Sequence, residues 1–228
     1  MKGRSKVHFV MARRIFIVGA NGRVGSRVAT CALMRGWSVA GLSRSGVNHA
    51  LLGKTGEGRS ALVDGVTWIK GDMLDRDCYR EELRRCDGVV YSCGQLLSFD
   101  TWPLKTILQL AMAKNDVDHI CYEQSWRKKN LDGAIAVAEV CQDIVQQRIV
   151  AEKKGGGTVE KFPFVYISIQ GVDPHKRGLF AGYHETKLAA EAKLRALAYV
   201  DETILRPANF LDEEIFRKSE PRLIKFVR

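Results

Sequence analysis

From Arg14 onward the chain switches between short β-branched runs and longer stretches with apolar residues at helical spacing. Ile15–Val18 is a run of the first kind and ends in glycine. Val24–Arg35 is of the second kind, with Val24, Val28, Cys31 and Ala32 on one face and Gly36 behind it as a C-cap signal. Ser38–Ser43 predicts a second strand, and the polar, glycine-rich stretch 44–65 predicts an exposed loop. Val66–Lys70 predicts a third strand, Arg76–Cys86 a short helix and Gly88–Ser92 a fourth strand. The unbroken hydrophobicity of that fourth strand fits a parallel strand covered on both faces. Residues 95–121 carry no readable period. Tyr122–Gln147 reads as one long helix, and the charged glycine loop Lys153–Gly157 lies beyond it. Phe162–Ile169, Tyr183–Tyr199 and Thr203–Leu205 then read as strand, helix and strand, stopped at Arg206-Pro207.

Strand–helix alternation of this kind points to an α/β fold, a Rossmann-type doubly wound parallel sheet of order 3-2-1-4-5-6. There is no repeat at solenoid spacing and no linker, so the expected organisation is a single domain over 14–228 behind a basic leader, 1–13. Residues 208–228 give that domain a short C-terminal substrate region.

Composition narrows the field. Charged residues make up 27% and apolar residues 46% of the chain, a globular balance. No apolar run approaches the roughly 20 residues that span a bilayer. The net charge of +10 raises a nucleic-acid reading, but half of it sits in residues 1–14, which carry five cations and no acid. The body has neither a basic stripe nor interleaved aromatics, so nucleic acid is not expected as a partner. The basic start fits a mitochondrial targeting segment, with an unstructured leader as the alternative. Cys31, Cys78, Cys86, Cys93, Cys121 and Cys141 form no C-x-x-C pair and have no histidine at ligand spacing. Reduced thiols are expected, and no metal site.

The candidate chemistry lies after the first strand, in Gly19-Ala20-Asn21-Gly22-Arg23-Val24-Gly25. Gly19 permits a tight turn, Gly22 lets backbone approach a diphosphate, and Gly25 lets the helix pack close to the strand. The amides opening that helix, helped by its dipole, would face the anion. A purely structural turn is the alternative. At the end of the second strand stands Ser43-Arg44-Ser45, with no carboxylate to accept ribose hydroxyls. Arg44 can fork two donors onto a 2′-phosphate, and Arg23 is a second candidate, so NADP(H) is favoured over NAD(H). Failing that, Arg44 is a solvated loop charge.

With these residues the chain resembles the short-chain dehydrogenase/reductase superfamily, in its extended or atypical branch, over about residues 13–210. Further marks are Gly71-Asp72-Met73, Ser92-Cys93-Gly94, Asn130-x-x-Gly133, Tyr183-x-x-x-Lys187 and Leu205-Arg206-Pro207. The resemblance implies that Asp72 and Met73 lie near the adenine and Gly94 near the adenosine ribose. It also implies that Tyr183 is an acid/base for hydride transfer and that Lys187 holds the nicotinamide ribose. Tyr183 and Lys187 share a helix face, and a nearby ammonium would lower the phenol's pKa. The catalytic hydroxyl departs from the pattern: Ile169 falls at its usual place and Ser168 one residue earlier, on the other face of the strand. Ser168 remains the candidate third catalytic residue.

Ser43-Arg44-Ser45-Gly46, Lys70-Gly71-Asp72 and Phe164-Val165-Tyr166-Ile167-Ser168 are similar to an atypical subgroup of mitochondrial quinone biology. It includes the nucleotide-binding accessory subunit of respiratory complex I and the ubiquinone-biosynthesis accessory protein. That resemblance implies a bound, largely structural NADPH, a weakly or non-catalytic role in a multiprotein assembly, and a place on the matrix side of mitochondria. An active NAD(P)-dependent reductase, dehydrogenase or epimerase using Tyr183 and Lys187 is the alternative, with a cytoplasmic location.

Overall fold

The computed structural model describes residues 13–47, 64–94, 122–152, 160–171, 175 and 181–207. The expected leader, the segment 95–121, the loop Lys153–Gly157, residues 208–228 and most of the loop 44–65 lie outside them.

Six strands form one sheet: β1 (Arg14–Val18), β2 (Ser38–Ser43), β3 (Val66–Lys70), β4 (Gly88–Tyr91), β5 (Phe162–Ile167) and β6 (Val200–Leu205). Their order is β3-β2-β1-β4-β5-β6, and every neighbouring pair runs parallel. This is the doubly wound sheet that the alternation predicts. The order reverses beside β1, so the loops after β1, β2 and β4 meet at one carboxyl edge, where such sheets bind ligands.

Side chains alternate across each strand, and the two faces bury different cores. Phe16, Val18, Tyr91, Phe164 and Tyr166 point to one face. They pack with Leu83 of α2 (Arg80–Arg84), Val137 and Ile144 of α3 (Gly133–Glu152), and Ala190 and Leu194 of α4 (Ala181–Arg195). Ile15, Ile17, Val39 and Val66 point the other way, towards Ala29 and Ala32 of α1 (Arg23–Met34). Gly36, at φ +74°, lets the chain turn out of α1, as its position after the last apolar residue predicts.

Beyond shifted ends at β5, β6 and the last helix, three elements differ from the pattern reading. The stretch read as one helix from Arg76 is a 3₁₀ turn, Arg76–Cys78, followed by α2. The break is at Tyr79 (φ −130°, ψ −8°), whose buried ring carries a hydroxyl that donates to the Met73 carbonyl at 3.0 Å. The long helix begins as a π-helical run, Tyr122–Asp132, and becomes α-helical at Gly133. Here two strand tyrosines compete for backbone acceptors: Tyr91 donates to the Lys129 carbonyl at 2.5 Å and Tyr166 to the Asn130 carbonyl at 2.7 Å. A side chain at Gly133 would stand 2.6 Å from Tyr91 Oη, so glycine allows the close crossing there. Third, β4 alternates buried with half-buried positions rather than being covered on both faces among the described residues.

Candidate dinucleotide site

Four strand-end loops and one crossover residue enclose a cavity of about 580 Å³ at the carboxyl edge. Gly19, Asn21 and Gly22 come from the β1 loop, and Ser43, Arg44 and Ser45 from the end of β2. Asp72 and Met73 follow β3, Cys93 and Gly94 follow β4, and Lys129 reaches in from the π-helical run.

The β1 loop needs two of its glycines for geometry that the coordinates show. Gly19 has φ +82°, and a side chain on it would lie 2.8 Å from Cys93 Sγ. A β-carbon on Gly25 would overlap the Gly19 carbonyl oxygen and stand 2.8 Å from Ser92 Oγ. Gly25 therefore sets how closely α1 approaches the loop. Gly22 is the N-cap of α1 and, having no side chain, makes no side-chain cap. The opening amides of α1 thus suit an anion. Asn21 ties this loop to the next: its amide donates to Ser43 Oγ at 2.8 Å, Ser45 Oγ at 3.2 Å and the Gly46 carbonyl. Ser43 itself donates to the Gly46 carbonyl at 2.6 Å. The two loops are held in place before any ligand arrives.

Of the expected cofactor residues, Gly19, Asn21, Gly22, Ser43, Arg44, Asp72, Met73 and Gly94 line the cavity. The lining does not include Arg23, Val24, Gly25 or Lys187. Arg23 is exposed at the start of α1, and its carbonyl accepts from Arg27 Nη1 at 2.8 Å. Val24 instead lines an apolar groove with Val28 and Val165 on the α1 side of the sheet.

Asp72 is tightly held. One oxygen accepts from the Leu74 amide at 3.0 Å and the other from Lys128 Nζ at 3.1 Å. Partial burial pushes its carboxyl up, but these two partners outweigh it and leave the pKa below the usual value. The Cys93 thiol goes the other way, pushed up to about 11 by burial in spite of Lys129, Arg44 and Lys187 nearby.

Beyond the cavity, Tyr183 and Lys187 both project from α4 into buried surroundings. Lys187 Nζ donates to the Ile167 carbonyl at 2.9 Å and lies 4.7 Å from the centre of the Tyr166 ring and 5.9 Å from that of Tyr183. The α-carbon of Gly94 faces this ammonium: a side chain there would meet Nζ at 3.3 Å and Asn130 Oδ1 at 3.6 Å. Asn130 is fully buried, its amide donates to Thr186 Oγ1 at 3.3 Å, and its Oδ1 has no hydrogen-bond partner among the described residues. A buried acceptor left in this state calls for a donor from a ligand. A dinucleotide's sugar hydroxyls have that chemistry, so the residues present fit such a group.

The surroundings of the candidate catalytic residues differ from what the helix spacing predicts. Burial pushes the Tyr183 phenol up to about 12 instead of the ammonium pulling it down. Burial also brings Lys187 down to about 8. Ser168 is not among the residues that line the cavity. It is 3% exposed and donates its hydroxyl to Glu191 Oε1 at 2.6 Å, on the α4 side of β5. Glu191 also accepts from Arg206, through Nε at 3.0 Å and through Nη2, and from Arg195 at 3.3 Å.

The pattern reading missed Glu191 and Lys129. Glu191 stands four residues after Lys187 on the same helix, and that i, i+4 spacing was the available signal. Lys129 adjoins the Asn130-x-x-Gly133 mark, on the run that is π-helical where the pattern predicts an α-helix.

The fold and this edge are those of a Rossmann-type dinucleotide-binding domain. The chain belongs to the NAD(P)H-binding family, whose model matches residues 19–223. A curated relative, MIOREX complex component 2 of Saccharomyces cerevisiae, is 26% identical over 219 residues, covering 89% of this chain and 74% of its own. Among solved structures, a short-chain dehydrogenase from Streptomyces avermitilis is similar at a TM-score of 0.57 and 19% identity, over 88% of this chain and 66% of that one. The Bordetella bronchiseptica enzyme WbmH, in complex with NAD+, gives 0.56 and 19%, over 94% and 64%. The UDP-glucose 4-epimerase of Brucella ovis, with NAD, gives 0.55 and 16%, over 87% and 52%. The chain thus spans less than two thirds of these solved chains.

Proposed function

We propose that this protein binds NADP(H) at the carboxyl edge of its sheet and serves as a weakly or non-catalytic accessory protein in a mitochondrial assembly. One observation carries the reading: the cavity and its loops are organised for a dinucleotide, while the hydroxyl nearest the expected catalytic place is spent on Glu191. Arg44 beside Ser43 and Ser45, with no acid at the end of β2, supports the phosphorylated dinucleotide over NAD(H). In the bound state the glycine loop would hold the diphosphate, Asp72 and Met73 the adenine, and Asn130 and Lys187 a sugar. The dinucleotide would supply hydride chemistry where a substrate is present. Tyr183, held neutral by burial, is a proton donor at most.

An assembly role is supported by the name of the yeast relative, a component of a complex. The acid-free basic run 1–14 supports a mitochondrial address on the matrix side, and the resemblance to the quinone-linked subgroup supports respiratory-chain or quinone biology as the setting. Among the described residues, no helix is long and apolar enough to cross a membrane.

The test is mass spectrometry of small molecules released from natively purified protein, alongside thermal melting. NADP(H) should be recovered, and a hundredfold excess over Kd should stabilise the fold by about 3 kcal/mol. A melting curve indifferent to NADPH overturns the reading. Turnover that Tyr183→Phe abolishes while cofactor still binds would replace the accessory role with the reductase or epimerase alternative.

A further inference from the structure

The cavity carries two cations that one ligand atom group would reconcile. Asp72 is the one carboxylate among the described residues lining it, and its two oxygens are taken by Lys128 and the Leu74 amide. Arg44 and Lys129 contribute the remaining lining cations. They come from opposite directions. Arg44 follows β2, on the β3 side of the glycine loop, and Lys129 enters from the crossover between β4 and β5.

Arg44 is exposed at the end of β2, and its charge acts on Lys129 across the cavity, where like charges repel. Lys129 is half-buried, and its pKa is lowered by burial first and by Arg44 next. A doubly charged anion between the two would offset that repulsion. Its place follows from the loops. The diphosphate belongs at the amides that open α1, after β1, whereas the end of β2 is where the adenosine ribose of a bound dinucleotide lies. The hydroxyls there divide by their protons. Ser43 gives its proton to the Gly46 carbonyl, whereas Ser45 accepts from Asn21 and keeps a proton to donate.

We propose that Lys129 and Arg44 close from two sides on a phosphate carried by the adenosine ribose, with Ser45 as the third donor. Lys129 is then a specificity-determining residue for the 2′-phosphorylated dinucleotide. This rests on the dinucleotide reading above and adds the residue that sets which dinucleotide is held.

The experiment is calorimetry on the full chain with NADPH, NADH, adenosine 2′,5′-bisphosphate and ADP. The variants are Lys129→Gln, Lys129→Arg and Arg44→Gln. Removing one charge-assisted contact at a half-exposed site should weaken NADPH and the bisphosphate about tenfold, and NADH and ADP less than twofold. Lys129→Arg should restore the preference. The Tyr91 bond is to the backbone of Lys129, so the substitution leaves it in place, and unchanged melting of the unliganded variants verifies that. Equal weakening of all four ligands would assign Lys129 to the diphosphate and overturn the proposal. An unchanged preference in Lys129→Gln overturns it too, while leaving dinucleotide binding intact. A wild-type chain that binds none of the four overturns both readings.

Discussion

Ser168 and Glu191 are joined by a 2.6 Å hydrogen bond in which the serine donates, and Arg206 grips the same carboxylate through two nitrogens. The carboxylate is 1% exposed. Burial raises its pKa, but the bonds from Arg206 and Ser168 more than offset that, and the net shift is downward. This ties the end of β5 to α4 and to the residue after β6.

Ser168→Ala should therefore cost about 1 kcal/mol of stability and leave NADPH affinity unchanged. Glu191→Gln should cost about 2 kcal/mol, because Arg206 and Arg195 turn partly to solvent when released. The folded pKa of Glu191 lies below its ordinary 4.5, so its contribution is complete above that value and is lost as pH falls through the lowered one. Urea denaturation of the wild type and Glu191→Gln should show curves that separate at pH 7 and converge in acid. Curves that stay apart would mean that the charge is not what matters.

Two glycines separate backbone strain from crowding. Gly36→Ala places a side chain at φ +74° in open space and should cost about 1 kcal/mol, with no effect on ligand binding. Gly25→Ala drives a methyl into the Gly19 carbonyl and Ser92 Oγ, where neither the loop nor β4 can yield cheaply. It should cost about 3 kcal/mol and weaken NADPH by displacing the loop. Thermal melting with and without NADPH distinguishes the two, and equal losses would remove the packing argument.

Lys187 is a destabilising charge in the folded chain. Its pKa falls from 10.5 to about 8 through burial, a difference worth about 3 kcal/mol. The bond to the Ile167 carbonyl offsets about 1 kcal/mol of what a neutral replacement would gain. Lys187→Met should thus stabilise the unliganded fold by about 2 kcal/mol at pH 7. Below about 8 both states hold the proton and the full penalty is present; as pH rises towards 10.5 the penalty disappears. The gain over wild type should shrink between pH 8 and 10.5 in urea titrations, and a gain independent of pH would rule out the charge as its source.

The strands were legible because hydrophobicity is local. Ser38–Ser43 and Val66–Lys70 match the structure end for end, and the glycine loop stands where its spacing places it. What escaped depends on contacts between distant residues. The fate of Ser168 is decided 23 positions away at Glu191, and the π-helical run by Tyr91 and Tyr166 on two other elements. Period alone could put Ser168 on the wrong face of its strand; it could not name the carboxylate waiting there. Lys129 was hidden for the same reason, since the backbone that carries it is held by a tyrosine 38 positions away.

Those two hydroxyls have a structural corollary. Neighbouring strands in the middle of the sheet are bolted to consecutive carbonyls of the crossover, so the wall of the cavity that carries Lys129 is an extension of the core and not a hinged flap. The same two rings stack on each other 5.9 Å apart, so a displacement of that wall is transmitted to the centre of the sheet.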